Sequence, residues 1–277
     1  MMEETLRQLQ LTQLEMLILV DRICKAHEIE YSLYAGTLLG AVRHQGFIPW
    51  DDDLDICMSR ENYDKFIQIW PSTKHDGYIL QNKENTPSFS QSFTKIRKAH
   101  TTFLQDQSEI GQYHTGIFID IFPIDRIPSQ KLLRLKFYCD CMLYQLYMRE
   151  FAPAQYGTLK RAIAAVLLWI TPKGKRKDIR DRLLKKITRY NRDPACNTVG
   201  IETVDSMRKD FAADMLGQYA SIQFEGREFM CVANWDDHLR RKYGDYMKLP
   251  PEEEQTWKHH PIIIDFEHNY EELKHLG

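Results

Sequence analysis

Four carboxylates stand within five residues at Asp51-Asp52-Asp53-Leu54-Asp55, and the run is bounded by Trp50 and Ile56. Solvated acidic stretches keep polar neighbours. Here Phe47-Ile48-Pro49 leads in, and Leu54 and Ile56 interleave with the acids. Such a segment belongs to a structured, partly buried place. Like charges repel strongly in a low dielectric, so the fold must bring positive charge to this segment. A divalent metal ion is the most compact source of it.

Leu54 to Met58 reads as a strand. Residues two apart on a strand share a face, so Asp53 and Asp55 face one space while Leu54 and Ile56 face the core. Oxygen ligands on neighbouring positions suit Mg²⁺ or Mn²⁺, and Asp51 and Asp52 are expected to support them. A third acid lies in Gly116-Ile117-Phe118-Ile119-Asp120-Ile121-Phe122, an apolar strand that Pro123 is expected to end. An unpaired acid among Ile and Phe is costly. Asp120 is therefore either a third metal ligand or general base, or the partner of a buried Arg or Lys. Three acids from two strands, holding one or two metal ions, suit in-line displacement at phosphorus. Gly36-Thr37, at a strand-to-helix turn ahead of the acids, offers a close backbone approach, a helix N-terminus and a hydroxyl to a phosphate.

The rest of the chain supports a mixed α/β core. Leu6, Leu9, Leu14, Leu17, Ile18 and Ile23 recur at helical spacing over 3–27. Tyr31 to Ala35 reads as a strand, and a helix from about Leu38 to His44 ends at Gly46. Ser59 is a suitable N-cap for a helix over 61–70. Tyr78–Leu80, Phe93–Arg97 and Thr102–Leu104 read as strands. Ile222 to Phe229 reads as a hairpin around Glu225-Gly226, and Trp235 to Tyr243 as a helix. The expected division is a catalytic core over 1–127, a largely helical insertion over 128–200 and a C-terminal segment over 201–277 that completes the core.

Within the insertion, 130–150 reads as a helix, and a break at Pro153 and Gly157 precedes the apolar run Ala162 to Ile170. Lys160, Arg161, Lys173, Lys175, Arg176, Lys177 and Arg180 flank that run. Its roughly ten residues span ~15 Å as a helix, against ~30 Å of bilayer hydrocarbon. Two readings follow: a buried helix with solvated ends, or an element lying on an anionic membrane, to be disrupted by Leu167→Glu with Leu168→Glu.

Tyr34-Ala35-Gly36-Thr37-Leu38-Leu39-Gly40-Ala41-Val42-Arg43-His44-Gln45-Gly46-Phe47-Ile48-Pro49-Trp50 followed by the acidic run resembles the signature of the LicD family. Gly116 to Asp125 and Tyr243 to Pro251 resemble its later blocks. The resemblance implies a nucleotidyltransferase-like mixed sheet flanked by helices. It further implies transfer of phosphocholine from a CDP-choline donor to a sugar hydroxyl of a cell-surface glycan precursor of the teichoic acid or lipopolysaccharide type. A magnesium-type ion would sit at Asp53, Asp55 and Asp120, with Asp120 orienting or deprotonating the hydroxyl. Arg43 and His44 either neutralise the diphosphate or are surface charges on a helix end. Lys95 and Arg97, two apart on one strand, either face the donor or form a solvated edge. Trp50, Tyr34 and Trp235 are candidate walls of a cage for the quaternary ammonium. One departure stands out: Glu252-Glu253-Glu254 precede Lys258-His259-His260 where many relatives carry basic residues.

Other expectations concern partners and place. A formal net charge of -2 gives no basic footprint for nucleic acid. Six scattered cysteines without metal-ligand spacing suit a reducing cytoplasm. A lipid-linked acceptor would put the protein peripherally on the inner face of the cell membrane. Two alternatives remain open: a same-fold transferase of ribitol phosphate, glycerol phosphate or a nucleotide, and a non-catalytic scaffold for glycan assembly.

Overall fold

The computed structural model describes residues 2–151, 157–200 and 211–276 of a mixed α/β protein. The expected break at Pro153 and the stretch 201–210 lie outside the described residues. In chain order the elements are α1 (Met2–Ala26), β1 (Ser32–Leu33), α2 (Ala35–His44), β2 (Asp55–Ser59), α3 (Arg60–Ile69), β3 (Tyr78–Gln81), β4 (Thr94–Lys98), β5 (Thr102–Leu104) and β6 (Phe118–Ile127). There follow α4 (Lys131–Arg149), α5 (Thr158–Ile170), α6 (Lys173–Thr188), β7 (Thr198–Gly200), β8 (Phe211–Ala212), β9 (Tyr219–Phe224), β10 (Arg227–Val232), α7 (Trp235–Tyr243), β11 (Ile263–Asp265) and α8 (Tyr270–Leu276). The chain divides into two compact units: one of Met1–Gln81, Phe93–Pro123 and Met215–Gly277, the other of Asn82–Ser92 and Ile124–Asp214.

The first unit is built on a sheet of order β1-β2-β6-β4-β3. Its middle strand, β6, is buried on both faces, as its apolar residues Phe118, Ile119, Ile121 and Ile124 require, and it also carries Asp120, Asp125 and Arg126. Helix α1 buries Leu9, Met16, Leu17 and Val20. Helix α3 is capped as expected, with the Ser59 hydroxyl accepting from the Asn62 N–H at 3.3 Å. The β9–β10 hairpin turns at Glu225 and Gly226, both with positive φ, and pairs Phe224 with Arg227. Its tip meets the end of α2: the Glu225 N–H donates to the Gln45 carbonyl, and the Glu225 carboxylate accepts from the Phe47 N–H and from Arg7.

Several expected boundaries move. Helix α2 starts at Ala35, so Gly36 and Thr37 lie in its first turn, and Gln45 rather than Gly46 takes the left-handed position at its end. Strand β6 runs through Pro123 rather than stopping there. Residues 118–121 pair with β4 and residues 125–127 with β7, so the proline, which has no N–H to donate, falls between the two ladders.

In the second unit β7 and β8 extend from the later part of β6. Helices α4 and α6 enclose Phe137, Tyr144, Tyr147, Leu183, Ile187 and Tyr190. Segment 82–92 joins this unit through Arg180 to Glu84 and Gln145 to Ser92. The buried-helix reading of the apolar run fails. In α5 only Ala164 is buried, while Leu159, Ile163, Val166, Trp169 and Ile170 are all more than half exposed.

Candidate active site

The acidic segment is fixed from three directions. From α1, the Gln10 amide donates to the carbonyls of Ile48 and Asp51, and the Gln13 amide donates to those of Asp52 and Phe118, at 3.0 to 3.3 Å. From α2, the Thr37 hydroxyl accepts the Asp55 N–H at 2.8 Å. From the C-terminal region, the N–H groups of Lys258 and His259 donate to the Asp52 carboxylate at 3.2 and 2.9 Å. Gly36 serves the same segment: a Cβ there would lie 2.4 Å from Oδ2 of Asp51. The close approach that this glycine allows is thus to a carboxylate of the chain itself.

Strand β2 starts at Asp55, so Asp53 sits in the extended segment just ahead of it. Leu54 and Ile56 are fully buried, as the alternation requires. Asp120 lies on β6 beside this segment, its N–H donating to the Leu54 carbonyl at 2.9 Å. Oxygens of Asp51, Asp52 and Asp53 lie within 4.8 Å of one another, a hard oxygen set that can hold a metal ion. Asp51 and Asp52, both expected to play a supporting part, thereby stand in the cluster itself.

Protein cations answer part of the charge. Lys95 is opposite Asp120 in the β4–β6 register and donates to both its oxygens, at 2.7 and 3.0 Å, with its ammonium 3.3 Å from the centre of the Phe118 ring. This corrects the solvated-edge reading of Lys95 and Arg97, since both are buried. Arg97 is bound to the Gln81 side chain and the Gly116 carbonyl. Lys258 contacts Asp51 at 2.7 Å and stands 4.0 Å from Asp53. The His259 ring lies 3.2 Å from Asp52.

The remaining imbalance appears in the acidities. Burial, then Asp53, pushes Asp51 up to about 7, although Lys258 opposes the shift. Burial, with Asp53, Asp120 and Asp51, holds Asp55 well above the carboxylate range. Asp120 is also raised by burial, against the pull of Lys95. Asp52 goes the other way: burial raises it, but the His259 ring and the two backbone donors outweigh that and hold it low. Several acids thus share too little positive charge, which a divalent cation in the oxygen set would supply.

The other expected residues have different surroundings. Arg43 donates to the carbonyls of Tyr246 and Lys248 and to His44, fixing the turn after α7. His44 stands edge-on to half-buried Trp50. Tyr34 is buried against Phe122 and His238, and the Lys242 ammonium covers its ring at 4.4 Å. Tyr34 and Trp50, two of the three residues of the expected cage, therefore have separate neighbours. Sequence reasoning missed Gln10, Gln13, Lys242 and Tyr243. The glutamines carried a readable signal, since both fall on the apolar face of α1. Lys242 offsets the Asp55 charge, while burial, then Asp55, Asp51 and Asp53, tighten the hold of Tyr243 on its proton.

The mixed sheet thus carries a Gly-Thr helix start beside a converging acid cluster. Residues 28–140 match the family described as LicD/FKTN/FKRP, nucleotidyltransferase domain. The chain is similar to the lipopolysaccharide cholinephosphotransferase LicD of Haemophilus influenzae, at 30% identity over 268 residues that cover 92% of this chain and 96% of the relative. It is also 33% identical over 132 residues to an uncharacterized protein of Rickettsia prowazekii, covering 47% of this chain and 44% of that one. A protein of Rickettsia typhi, likewise uncharacterized, is 50% identical over 58 residues, or 21% of this chain and 19% of that one. The chain belongs to the LicD family.

Proposed function

We propose that this protein transfers phosphocholine from CDP-choline to a hydroxyl of a lipid-linked surface glycan, with a Mg²⁺-type ion in the acid cluster. The observation that carries this reading is the under-compensated cluster of Asp51, Asp53, Asp55 and Asp120 beside the Gly36-Thr37 helix start, in a chain of the LicD family. The name of the Haemophilus relative supports both choline and a lipid-bearing glycan acceptor.

The acceptor oxygen attacks phosphorus as the phosphoanhydride bond to CMP breaks, and the hydroxyl proton passes to a carboxylate. Asp120 is suited to take it, because burial raises its pKa above the usual carboxylate range and Lys95 fixes both its oxygens. Asp51, Asp52 and Asp53, whose oxygens converge, would hold the ion with Asp55 beside them, and its contribution when bound would be to neutralise charge on the phosphoryl oxygens. Lys258, beside Asp51 and Asp53, adds positive charge at the same place.

Incubation with CDP-choline, CDP-ribitol or CDP-glycerol and Mg²⁺, followed by measurement of CMP, tests the reading. Release from CDP-choline alone is expected. Release only from CDP-ribitol or CDP-glycerol would replace the choline assignment while keeping the metal chemistry, and no release from any donor with a competent acceptor would favour the scaffold.

A further inference from the structure

Helix α5 faces the wrong way for a globular protein. At ~100° per residue, Ala164, Leu167 and Leu168 form its inner side. Leu159, Ile163, Val166, Trp169 and Ile170 form a continuous outer side, with Trp169 85% exposed. An apolar stripe on α4 runs alongside, from Leu132 and Leu135, both exposed, to Met142. Between the two helices lies an apolar groove of about 450 Å³ walled by Met142, Leu146, Phe151 and Ile163, with Arg149 and Lys160 contributing charge.

The surroundings of this face are strongly basic. Helices α4, α5 and α6 together carry fourteen Lys and Arg against three Asp, in a chain whose net charge is -2. Lys160 and Arg161 border the outer face of α5, and Lys131 and Lys136 fall on either side of the α4 stripe. A second copy of the chain would set this basic surface against itself, because a twofold contact joins like to like. An anionic bilayer attracts it. At 13 residues, α5 is ~20 Å long and too short to cross ~30 Å of hydrocarbon. Among the described residues no helix is long and apolar enough to span a membrane.

We infer that the outer face of α5 and the adjoining α4 stripe form a docking surface for an anionic phospholipid bilayer. Helix α5 lies in the plane of the interface, Trp169 sits at the headgroup level, and the groove receives part of an acyl chain. Leu168 packs inward on the core between α4 and α6, so substitution there disturbs the fold, whereas Leu167 lines the groove itself.

The test is co-sedimentation of the full chain with phosphatidylcholine vesicles, with and without phosphatidylglycerol. The wild type should partition at least ~10-fold better onto the anionic vesicles, and added salt should weaken this. Val166→Glu with Trp169→Glu should lower partitioning ~10-fold or more, and Lys160→Glu about fivefold, the effect of roughly 1 kcal/mol. A blue shift of tryptophan emission on binding should be lost in Trp169→Phe. Wild-type protein remaining in the supernatant with anionic vesicles would overturn the proposal, as would a double Glu variant that binds unchanged. A dimer that the double variant converts to monomer would assign the face to a second copy. None of these readouts uses a CDP-linked donor, so their outcome is independent of the choline assignment.

Discussion

Replacing Asp51 by Asn should stabilise this protein, increasingly so as pH rises. The folded carboxyl titrates at about 7 rather than 3.8, chiefly because it is buried and secondly because Asp53 is close. Between these two values the folded chain keeps a proton that the unfolded chain has released. Stability therefore falls as pH rises through that window. About three pH units at ~1.4 kcal/mol each puts the cost near 4 kcal/mol above pH 7. Asn removes it, and that cost is already net of the ion pair with largely exposed Lys258, which opposes the shift. The gain of roughly 4 kcal/mol corresponds to ~8–16 °C in melting temperature for a unit of this size. Thermal unfolding in EDTA at several pH values checks this. The two proteins should melt together near pH 4 and diverge towards pH 8, and Mg²⁺ should raise the wild type while leaving the variant unchanged. A wild type that is the more stable at pH 8 in EDTA, or a gap independent of pH, would refute the reasoning.

Other outcomes follow from the same site. Asp53→Asn should abolish CMP release with the far-ultraviolet circular dichroism unchanged; undiminished turnover would remove Asp53 from the metal site. Gly36→Ala places a Cβ 2.4 Å from the buried Asp51 carboxylate, so overpacking of ~1–3 kcal/mol should exceed the better helix propensity of alanine and lower the melting temperature. Lys95→Met strands a buried Asp120 and should cost about 3–5 kcal/mol; Lys95→Met with Asp120→Leu should recover much of that loss in a double-mutant cycle. Gln13→Leu leaves the Asp52 and Phe118 carbonyls without their amide donor and should lower stability by about 1–3 kcal/mol.

What the sequence determined by itself was local or densely patterned. The Ser59 cap, the Glu225-Gly226 turn and the helix from Trp235 to Tyr243 depend on residues a few positions apart, so their signals sit in one window. The acidic run did too, and its apolar interleaving announced buried like charge. Tertiary structure alone decided what answers that charge. Lys258 and His259 reach Asp51 and Asp52 from more than 200 residues away, and Lys95 meets Asp120 only through strand register. Pro123 could pass through β6 because its neighbours pair with different strands on either side. The outward face of α5 was equally illegible, since periodicity gives the angle between apolar residues and not the direction in which the helix is turned. Charge compensation and burial are properties of surroundings, and surroundings exist only once distant segments have met.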